Sequence, residues 1–475
     1  MVRRCCLLLC ILALMMLASC QKAQQYRVTP KRPAIEGDAK KDDDADQGLP
    51  ALSWVEPKER RDLPIVFIAD NADNHAEWKS LKSFWNEPPL FAGMATVHIG
   101  LDPLPALAAM ILTEQHFAIK IKVPRGLPDP TPHFPPSNPP SYGKWMLGKA
   151  LFHAPLLKIG PDFRSCASCH DPERNFSDGI HRRLDADYNT LSLVNAVYNR
   201  RQFWDGRVRT LEETLGSFPI KPAPRTQDEQ HNWGGFVRDL AANKQYVTQF
   251  NLVFGVEYPT QDTVAQALAT YIRTILSGDS LYDRADLAGR DKQAKALPAN
   301  HFLDLLKDEA IRDSIRTDPL QTPEQMSAML VKGYELFHGK ARCAQCHSGP
   351  LFTDGDYHNV GLEAPAFGME SGRALHVPVG LKEARLIGAY RTPSLRNLVL
   401  TGPYFHDGSQ LTLRTVLDYY DSSVIDAPGR LAKPLLDGSR PMRLHLLADE
   451  KESLLMFLHA LQGTPVDSKV SGLAK

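Results

Sequence analysis

Two short cysteine–histidine motifs carry the clearest chemical signal in this sequence. CASCH occupies residues 166–170 and CAQCH occupies residues 343–347. The Cys-x-x-Cys-His spacing lets two thiols bond to the two vinyl groups of one haem while the adjacent imidazole reaches the iron. A redox dithiol does not require the neighbouring His, and a zinc site would need further ligands to converge on the cysteines. The sequence therefore predicts two covalently bound c-type haems, whose attachment and proximal residues are Cys166, Cys169, Cys343, Cys346, His170 and His347.

The N-terminus predicts export from the cytoplasm. Arg3 and Arg4 precede an apolar run of 13 residues, a combination typical of a secretory signal peptide. The run is shorter than the ~20 residues of a spanning helix, although an uncut membrane anchor stays as the alternative. The tetrapeptide LASC at residues 17–20 resembles a bacterial lipoprotein cleavage box, which implies that Cys20 becomes lipidated. Because Gln21 follows rather than Asp, we expect a periplasmic protein attached to the outer membrane through this lipid only.

Composition excludes one broad class of partner. The 55 Lys and Arg residues balance the 55 Asp and Glu residues, so the formal net charge is zero. A protein that binds nucleic acid needs a basic excess or a basic stripe to neutralise phosphates, and we therefore expect no nucleic-acid partner. The length of 475 residues is about three times that of a typical domain, which indicates more than one folded unit.

The chain divides into five predicted segments. Apolar residues recur at helical spacing around both Cys pairs. The alternating pattern of β-branched residues that is typical of strands is scarce. Eight prolines between residues 124 and 140 predict an extended connector, because proline interrupts regular structure. We expect a mainly α protein with two similar halves. The segments are a signal peptide (1–20), a flexible tether (21–50), an N-terminal extension with the Pro-rich connector (51–140), a first haem domain with a charged inter-domain insertion (141–322) and a second haem domain (323–475).

Four further motifs resemble those of a known family. They are FSDG at residues 176–179, QFWDGR at 202–207, RTPSLRN at 391–397 and GPYFHDG at 402–408. Their types and order resemble the bacterial di-haem cytochrome c peroxidase family, which includes MauG, the methylamine-utilisation member. The resemblance covers roughly residues 141–465. It implies two cytochrome c-like domains, with hydrogen peroxide reacting at the first haem and electrons arriving through the second.

The resemblance also implies two functions for the region between the haems. Trp204 matches the tryptophan that relays charge between them, although core packing is the alternative for a single Trp. Asn189 and the backbone oxygens of Thr401 and Pro403 match the family's calcium site, and oxygen ligands suit such a hard cation. An Asn in an ordinary turn is the alternative to that calcium ligand.

The second iron ligand of the second haem is the most informative position. Peroxidase members carry a Met 14 residues after the His of GPYFHDG, and that count from His406 gives Tyr420. A Tyr at this place is the MauG-like arrangement, and its oxygen favours oxidised iron where Met raises the potential. Met442 and Met369 are the alternative ligands if Tyr420 is an ordinary helix aromatic.

The distal side of the first haem admits three interpretations of His181 and several candidates for the acid–base group. His181 lies 23 residues before Trp204, where peroxidase members carry a removable distal His. The FSDG surroundings are more MauG-like, with an open haem, and a surface His beside Arg182 is the third interpretation. The family's catalytic Glu is replaced by Arg225, which cannot be a base because it stays protonated. Other candidates for this acid–base group are Asp228, Glu229 and Glu213.

Three functions follow from these observations. The first is a di-haem peroxidase that reduces hydrogen peroxide to water with electrons from a small cytochrome or copper protein. The second is MauG-like oxidation of a partner protein through a high-valent di-haem state. The third is a non-enzymatic two-haem electron carrier, which the missing Glu makes plausible. Family members are often dimers, so the resemblance also admits a homodimer.

Overall fold

The computed structural model describes residues 65–67, 118–121, 123–159, 162–180, 188–216, 233–291, 299–315, 320–362, 371–381, 383–424 and 430–472. The predicted signal peptide and tether lie outside these residues. So do several side chains considered above, namely Cys20, His181, Arg225, Asp228, Glu229 and Met369.

Helices dominate the described part of the chain, as the sequence predicted. They are α1 (Tyr142–His153), α2 (Leu211–Gly216), α3 (Trp233–Ala242), α4 (Lys244–Phe254), α5 (Gln261–Ile272), α6 (Leu281–Asp291), α7 (Ala299–Leu305), α8 (Glu309–Ile315), α9 (Pro323–His338), α10 (Leu413–Asp418), α11 (Ala448–His459) and α12 (Ser468–Ser471). None of these described helices is both long enough and apolar enough to cross a lipid bilayer. The prediction of a mainly α fold is confirmed.

The strands are short and pair two by two. β1 (Ile65–Phe67) lies parallel to β2 (Ala118–Lys120). The antiparallel pairs are β3 (Leu157–Ile159) with β4 (Asp162–Arg164), β5 (Tyr357–His358) with β6 (Tyr390–Arg391) and β7 (Leu436–Asp437) with β8 (Arg440–Pro441). Two or three residues a strand cannot form a sheet-based core, so the helices provide it.

Local capping chemistry sets where the first helix of each half begins. The Ser141 side chain accepts a hydrogen bond from the backbone N–H of Lys144 at the start of α1. At the start of α9, Thr322 and Gln325 form a reciprocal capping box and Pro323 occupies the first turn. Such caps satisfy N–H groups that have no partner inside the helix. The sequence itself therefore places these helices just ahead of the Cys pairs.

Each half is built on one close helix crossing. A Cβ added at Gly148 of α1 would lie 2.0 Å from the backbone oxygen of Ala267 in α5. A Cβ added at Gly333 of α9 would lie 2.1 Å from the backbone oxygen of Ser453 in α11. Only glycine permits such an approach of two backbones. The same device in both halves supports the prediction that they are similar.

The loops that follow the two motifs repeat as well. FWDG at residues 203–206 and FHDG at residues 405–408 occupy equivalent places, so Trp204 corresponds to His406. Each loop is closed by a bridge of the same kind, between Gln202 and Val208 and between Tyr404 and Gln410. Left-handed backbone recurs at matching residues of the two halves: Phe176 and Phe352, Asn195 and Asn397, and Phe203 and Phe405.

A buried ion pair and the Pro-rich connector join the halves. Arg396 makes two hydrogen bonds of 2.7 Å to the Asp283 carboxylate, and it also donates to the backbone oxygen of Gly126 in the connector. The hydroxyl of Tyr198 in the first half donates to the backbone oxygen of Pro128. The connector is therefore packed between the two halves and bonded to both.

The predicted insertion shares a core with the second half. Leu281 and Phe302 are buried in one cluster with Met326, Leu330 and Met456. The backbone N–H of Tyr282 donates to the backbone oxygen of Ala460, just after α11. Helices α6 and α7 thus pack against α9 and α11.

Candidate functional site

Both cysteine–histidine motifs adopt the same backbone turn. Cys166–Ser168 and Cys343–Gln345 each form a 3₁₀ turn. The backbone N–H of His170 donates to the oxygen of Cys166 at 2.9 Å, and that of His347 donates to the oxygen of Cys343 at the same distance. None of these four cysteines is in a disulfide. The turn brings each pair of thiols and its His into one compact unit, as attachment to a single haem requires.

The two imidazoles are held in the same way. His170 Nδ1 donates to the backbone oxygen of Phe176 at 3.1 Å, and His347 Nδ1 donates to that of Phe352 at 3.1 Å. An N–H at Nδ1 leaves the lone pair on Nε2, which is the nitrogen that can bind iron. Burial lowers the pKa of His347, which favours the neutral form that a ligand needs. These residues fit a proximal ligand to haem iron.

A cavity of about 460 Å³ lies beside the second motif. Its walls include Cys343, Cys346 and His347, and Trp204 and Tyr420 also line it. A largely apolar space of this size next to attachment residues fits a haem.

One cluster of possible metal ligands borders the same cavity. Within the described ranges, Cys346, Asp354 and His358 are the group whose ligand atoms lie within 4.8 Å of one another. His358 Nε2 lies 2.8 Å from Asp354 Oδ2. Burial lowers the pKa of His358, but the hydrogen bonds and charges of Asp354 and Cys346 together outweigh it, and the pKa rises to about 10. A protonated imidazole is no metal ligand, so the cluster favours an ion pair beside the haem over a zinc site.

Tyr420 lines the same cavity as His347. It belongs to a π-turn, Tyr419–Ser423, a backbone distortion frequently found at functional sites. The neighbouring Tyr419 donates its hydroxyl to the backbone oxygen of Val360 at 2.9 Å. The hydroxyl of Tyr420 makes no hydrogen bond with any described residue, and burial raises its pKa. Met442 lines the same cavity, so two of the three candidate ligands border one space, while Met369 lies outside the described residues.

Trp204 is fixed at the junction of the halves. It is buried, with 7% of its surface exposed, and its indole N–H donates to the backbone oxygen of Asn189 at 2.8 Å. Its own backbone oxygen accepts from the N–H of Arg391 at 2.7 Å. Its ring centre lies 6.4 Å from that of His406. The indole thus borders the second haem cavity from the first half.

The residues of the expected calcium site are close together. Asn189 Nδ2 donates to the backbone oxygens of Pro403 at 2.6 Å and Phe405 at 3.1 Å. Its Oδ1 is buried without a hydrogen-bond partner among the described residues. Exchanging O and N of the amide would bring Oδ1 beside the Pro403 oxygen, and a cation between the two would remove their repulsion. With the amide in that orientation, the Asn189 and Pro403 oxygens would suit a hard cation, and Thr401 lines the same cavity.

Several contacts of the FWDGR loop were missed by sequence reasoning. Asp205 is buried and lies 3.2 Å from both the Arg207 guanidinium and His376 Nε2. Arg373 donates to the backbone oxygen of Gly206 at 2.7 Å and lies over the ring of Tyr357. No pattern in the sequence between residues 371 and 381 predicts these long-range contacts. The second half therefore holds the loop that carries Trp204.

Arg391 opens a motif that the sequence singled out without assigning the residue a function. It is buried, it donates to the Asn199 side-chain oxygen at 2.7 Å, and its desolvation lowers its pKa.

Of the alternative acid–base groups, Glu213 lies within the described residues, and its exposed carboxylate accepts a hydrogen bond from the backbone N–H of Arg209. Its neighbour Glu212 instead forms a bidentate pair with Arg273. Neither contact supports Glu213 as the missing proton donor.

Comparison with known proteins places this site in a family. A sequence profile of the di-haem cytochrome c peroxidases matches residues 143–292. The chain is 33% identical over 346 residues to the methylamine utilization protein MauG of Methylorubrum extorquens, covering 71% of this chain and 83% of that protein. It is 30% identical over 365 residues to the cytochrome-c peroxidase IdrP1 of Pseudomonas sp. strain SCT, covering 70% and 84%.

A solved structure agrees with these relatives. A MauG-like protein associated with microbial copper homeostasis superposes with a TM-score of 0.53 at 25% identity, covering 73% of this chain and 96% of that one. The similarity therefore extends across both halves, beyond the segment that the profile matches. From the paired motifs, their common geometry and this similarity, the chain belongs to the di-haem cytochrome c peroxidase family and carries two c-type haems.

Proposed function

We propose that this protein reduces hydrogen peroxide to water at the haem held by His170, with electrons from a small cytochrome or copper protein entering through the haem held by His347. The observation that carries the proposal is that both Cys-x-x-Cys-His motifs hold their imidazoles in the same way. Trp204 lines the cavity beside the second motif. Relatives of about 30% identity that are named cytochrome-c peroxidases support the same reaction.

The side chains contribute orientation and insulation. When bound, the two haems supply the redox chemistry. Phe176 and Phe352 fix the tautomer of the two proximal imidazoles through their backbone oxygens. The backbone oxygen of Asn189 holds the indole of Trp204, and the backbone N–H of Arg391 holds its backbone. The ring therefore keeps a fixed position in the cavity wall. A fixed geometry of this kind lowers the reorganisation that charge transfer demands.

MauG-like oxidation of a partner protein is the second candidate. The observation in its favour is Tyr420, which lines the second cavity with an unbonded hydroxyl at the place where peroxidase members carry Met. The 33% identity with a MauG protein supports it too. Under this proposal Tyr420, rather than Met442, binds the second iron, and the partner protein takes the place of the small electron donor.

Three finer features extend the proposal. We propose one calcium ion at Asn189 and the backbone oxygens of Thr401 and Pro403, because the Asn189 amide contacts the Pro403 oxygen and its own buried Oδ1 lacks a partner among the described residues. The N-terminal motif supports export to the periplasm with lipidation of Cys20. We place the boundary between the two haem domains at Thr322, which caps the start of α9. The homodimer stays a prediction.

Rapid mixing with peroxide tests the function. The oxidised, haem-loaded protein is mixed with one equivalent of hydrogen peroxide, and haem absorption is followed with and without prior partial reduction. Turnover with a reduced small cytochrome is the result expected of a peroxidase. A lasting spectral change without turnover would favour the MauG-like reaction. No reaction in either state would overturn both enzymatic proposals and leave an electron carrier.

A further inference from the structure

Four aromatic rings form a continuous row that starts at the second haem cavity. The ring centres of Trp204 and His406 are 6.4 Å apart, and those of His406 and Tyr390 are 3.6 Å apart with the planes tilted by 15°. Tyr188 follows, at 5.6 Å from Tyr390 and 6.2 Å from His406. All four separations are within ring-contact range.

The row follows the cavity wall and ends at a ring nearer the solvent. Trp204, His406 and Tyr390 line the cavity wall, and each is buried. Tyr188 does not line it and is half-buried, which places it nearer the solvent. Electron exchange between aromatic groups falls steeply with distance, so a row of rings in contact offers a short route between the cavity and the outside.

The two tyrosines carry phenols, which a phenylalanine at the same place in the row would lack. Stacking on His406 and edge contact with a neighbouring ring require a flat aromatic side chain, not a hydroxyl. A phenol loses one electron and one proton at a potential too low to oxidise a benzene ring. Two phenols in succession, behind an indole, therefore form a group of oxidisable side chains next to a redox centre.

We propose that Tyr390 and Tyr188 are a redox-active pair that supplies both electrons to one hydrogen peroxide when no external donor is bound. Each phenol loses one electron through Trp204 and releases one proton to water. Two electrons and two protons convert one peroxide into two water molecules, and two neutral tyrosyl radicals remain. An external donor then returns one electron and one proton to each ring. This inference rests on the proposed reaction with peroxide.

The order of the rings makes the proposal specific. Tyr188 contacts both Tyr390 and His406, but an imidazole is much harder to oxidise than a phenol. Tyr390 is therefore the oxidisable ring next to Tyr188 in the row, and we expect the radical at Tyr188 to form mainly through it. Replacing Tyr390 by Phe keeps the stack and removes the oxidisable group. Replacing Tyr188 by Phe removes only the outer radical.

The experiment traps radicals in the haem-loaded protein after peroxide is added without donor. Wild type, Y390F, Y188F and the control Y258F are compared, because Tyr258 is 54% exposed and outside the row. Freeze-quench electron paramagnetic resonance with ring-deuterated tyrosine identifies tyrosyl radicals, and a nitroso spin trap followed by peptide mass spectrometry locates them. We expect adducts on Tyr188 in wild type and Y258F, and a loss of at least tenfold in Y390F.

Two results overturn the proposal. One is an undiminished Tyr188 adduct in Y390F, and the other is the absence of any tyrosyl radical although haem absorption shows that peroxide has reacted. If wild-type haem absorption does not respond to peroxide, the proposed function fails instead. The pair is then tested by pulse radiolysis with dibromide radicals, which oxidise Trp without peroxide. Transfer from Trp to Tyr that is lost in W204F but unchanged in Y390F would refute the pair on its own.

Discussion

Replacing Asp283 by Asn should destabilise the junction of the two halves by about 3–5 kcal/mol, the cost typical of breaking a buried ion pair from one side. The side chains of Arg396 and Asp283 are 2% and 3% exposed, so water cannot replace the lost charge. Asp283 also accepts hydrogen bonds from the backbone N–H and the hydroxyl of Ser280. The guanidinium of Arg396 would keep its bonds to Gly126 and Pro350 but remain buried without a counter-charge.

Urea unfolding of the haem-loaded protein, followed by far-ultraviolet circular dichroism, measures this loss as a lower midpoint. The matched control is D304N, because the Asp304–Lys307 pair is 63% and 71% exposed and its removal should leave the midpoint unchanged. Since Arg396 also holds the loop after the second Cys pair, haem absorption should be lost at a lower urea concentration in D283N. A D283N midpoint equal to that of D304N would refute the reasoning.

Three further changes test the site. Y420F should alter the absorption spectrum of the second haem and raise its reduction potential, because a Tyr oxygen favours Fe(III). M442L should change neither property. An effect of M442L without an effect of Y420F would assign the ligand to Met442. Asp354 and Cys346 together raise the pKa of His358 to about 10, so the stability that protonated His358 contributes is complete below about pH 6.5 and is lost as the pH rises through about 10. H358Q should therefore flatten the alkaline fall of the urea midpoint, and an unchanged pH profile would contradict the pairing. N189A should abolish calcium binding measured by isothermal titration calorimetry on the chelator-treated haem protein, and undiminished binding would place the ion elsewhere.

Short-range chemistry was predictable from the sequence. The paired motifs, the mainly helical fold and the family resemblance are confirmed, because each depends on residue types at fixed local spacing. The caps at Ser141 and Thr322 depend on neighbours three residues away and are legible in the same way. These features need no knowledge of which helix lies against which.

Long-range contacts were not predictable. The clamp of Arg373 and His376 on the FWDGR loop joins residues about 170 positions apart, and no periodicity encodes it. The crossing at Gly148 depends on the same kind of distant pairing. At Tyr420 and Met442, packing brings both alternatives to one cavity, so spacing alone cannot rank them. The predicted domain boundaries, calcium ligands and iron ligands stay predictions.

The equivalence of Trp204 and His406 has a consequence for evolution. In a symmetric dimer of identical chains, every mutation changes both copies, so both copies of this loop would have to carry the same side chain. Joining the two halves in one chain removes that constraint, because each position is then encoded separately. One loop is free to keep an indole and the other an imidazole on the wall of a single cavity. Fusion thus permits a division of labour that a homodimer could not inherit.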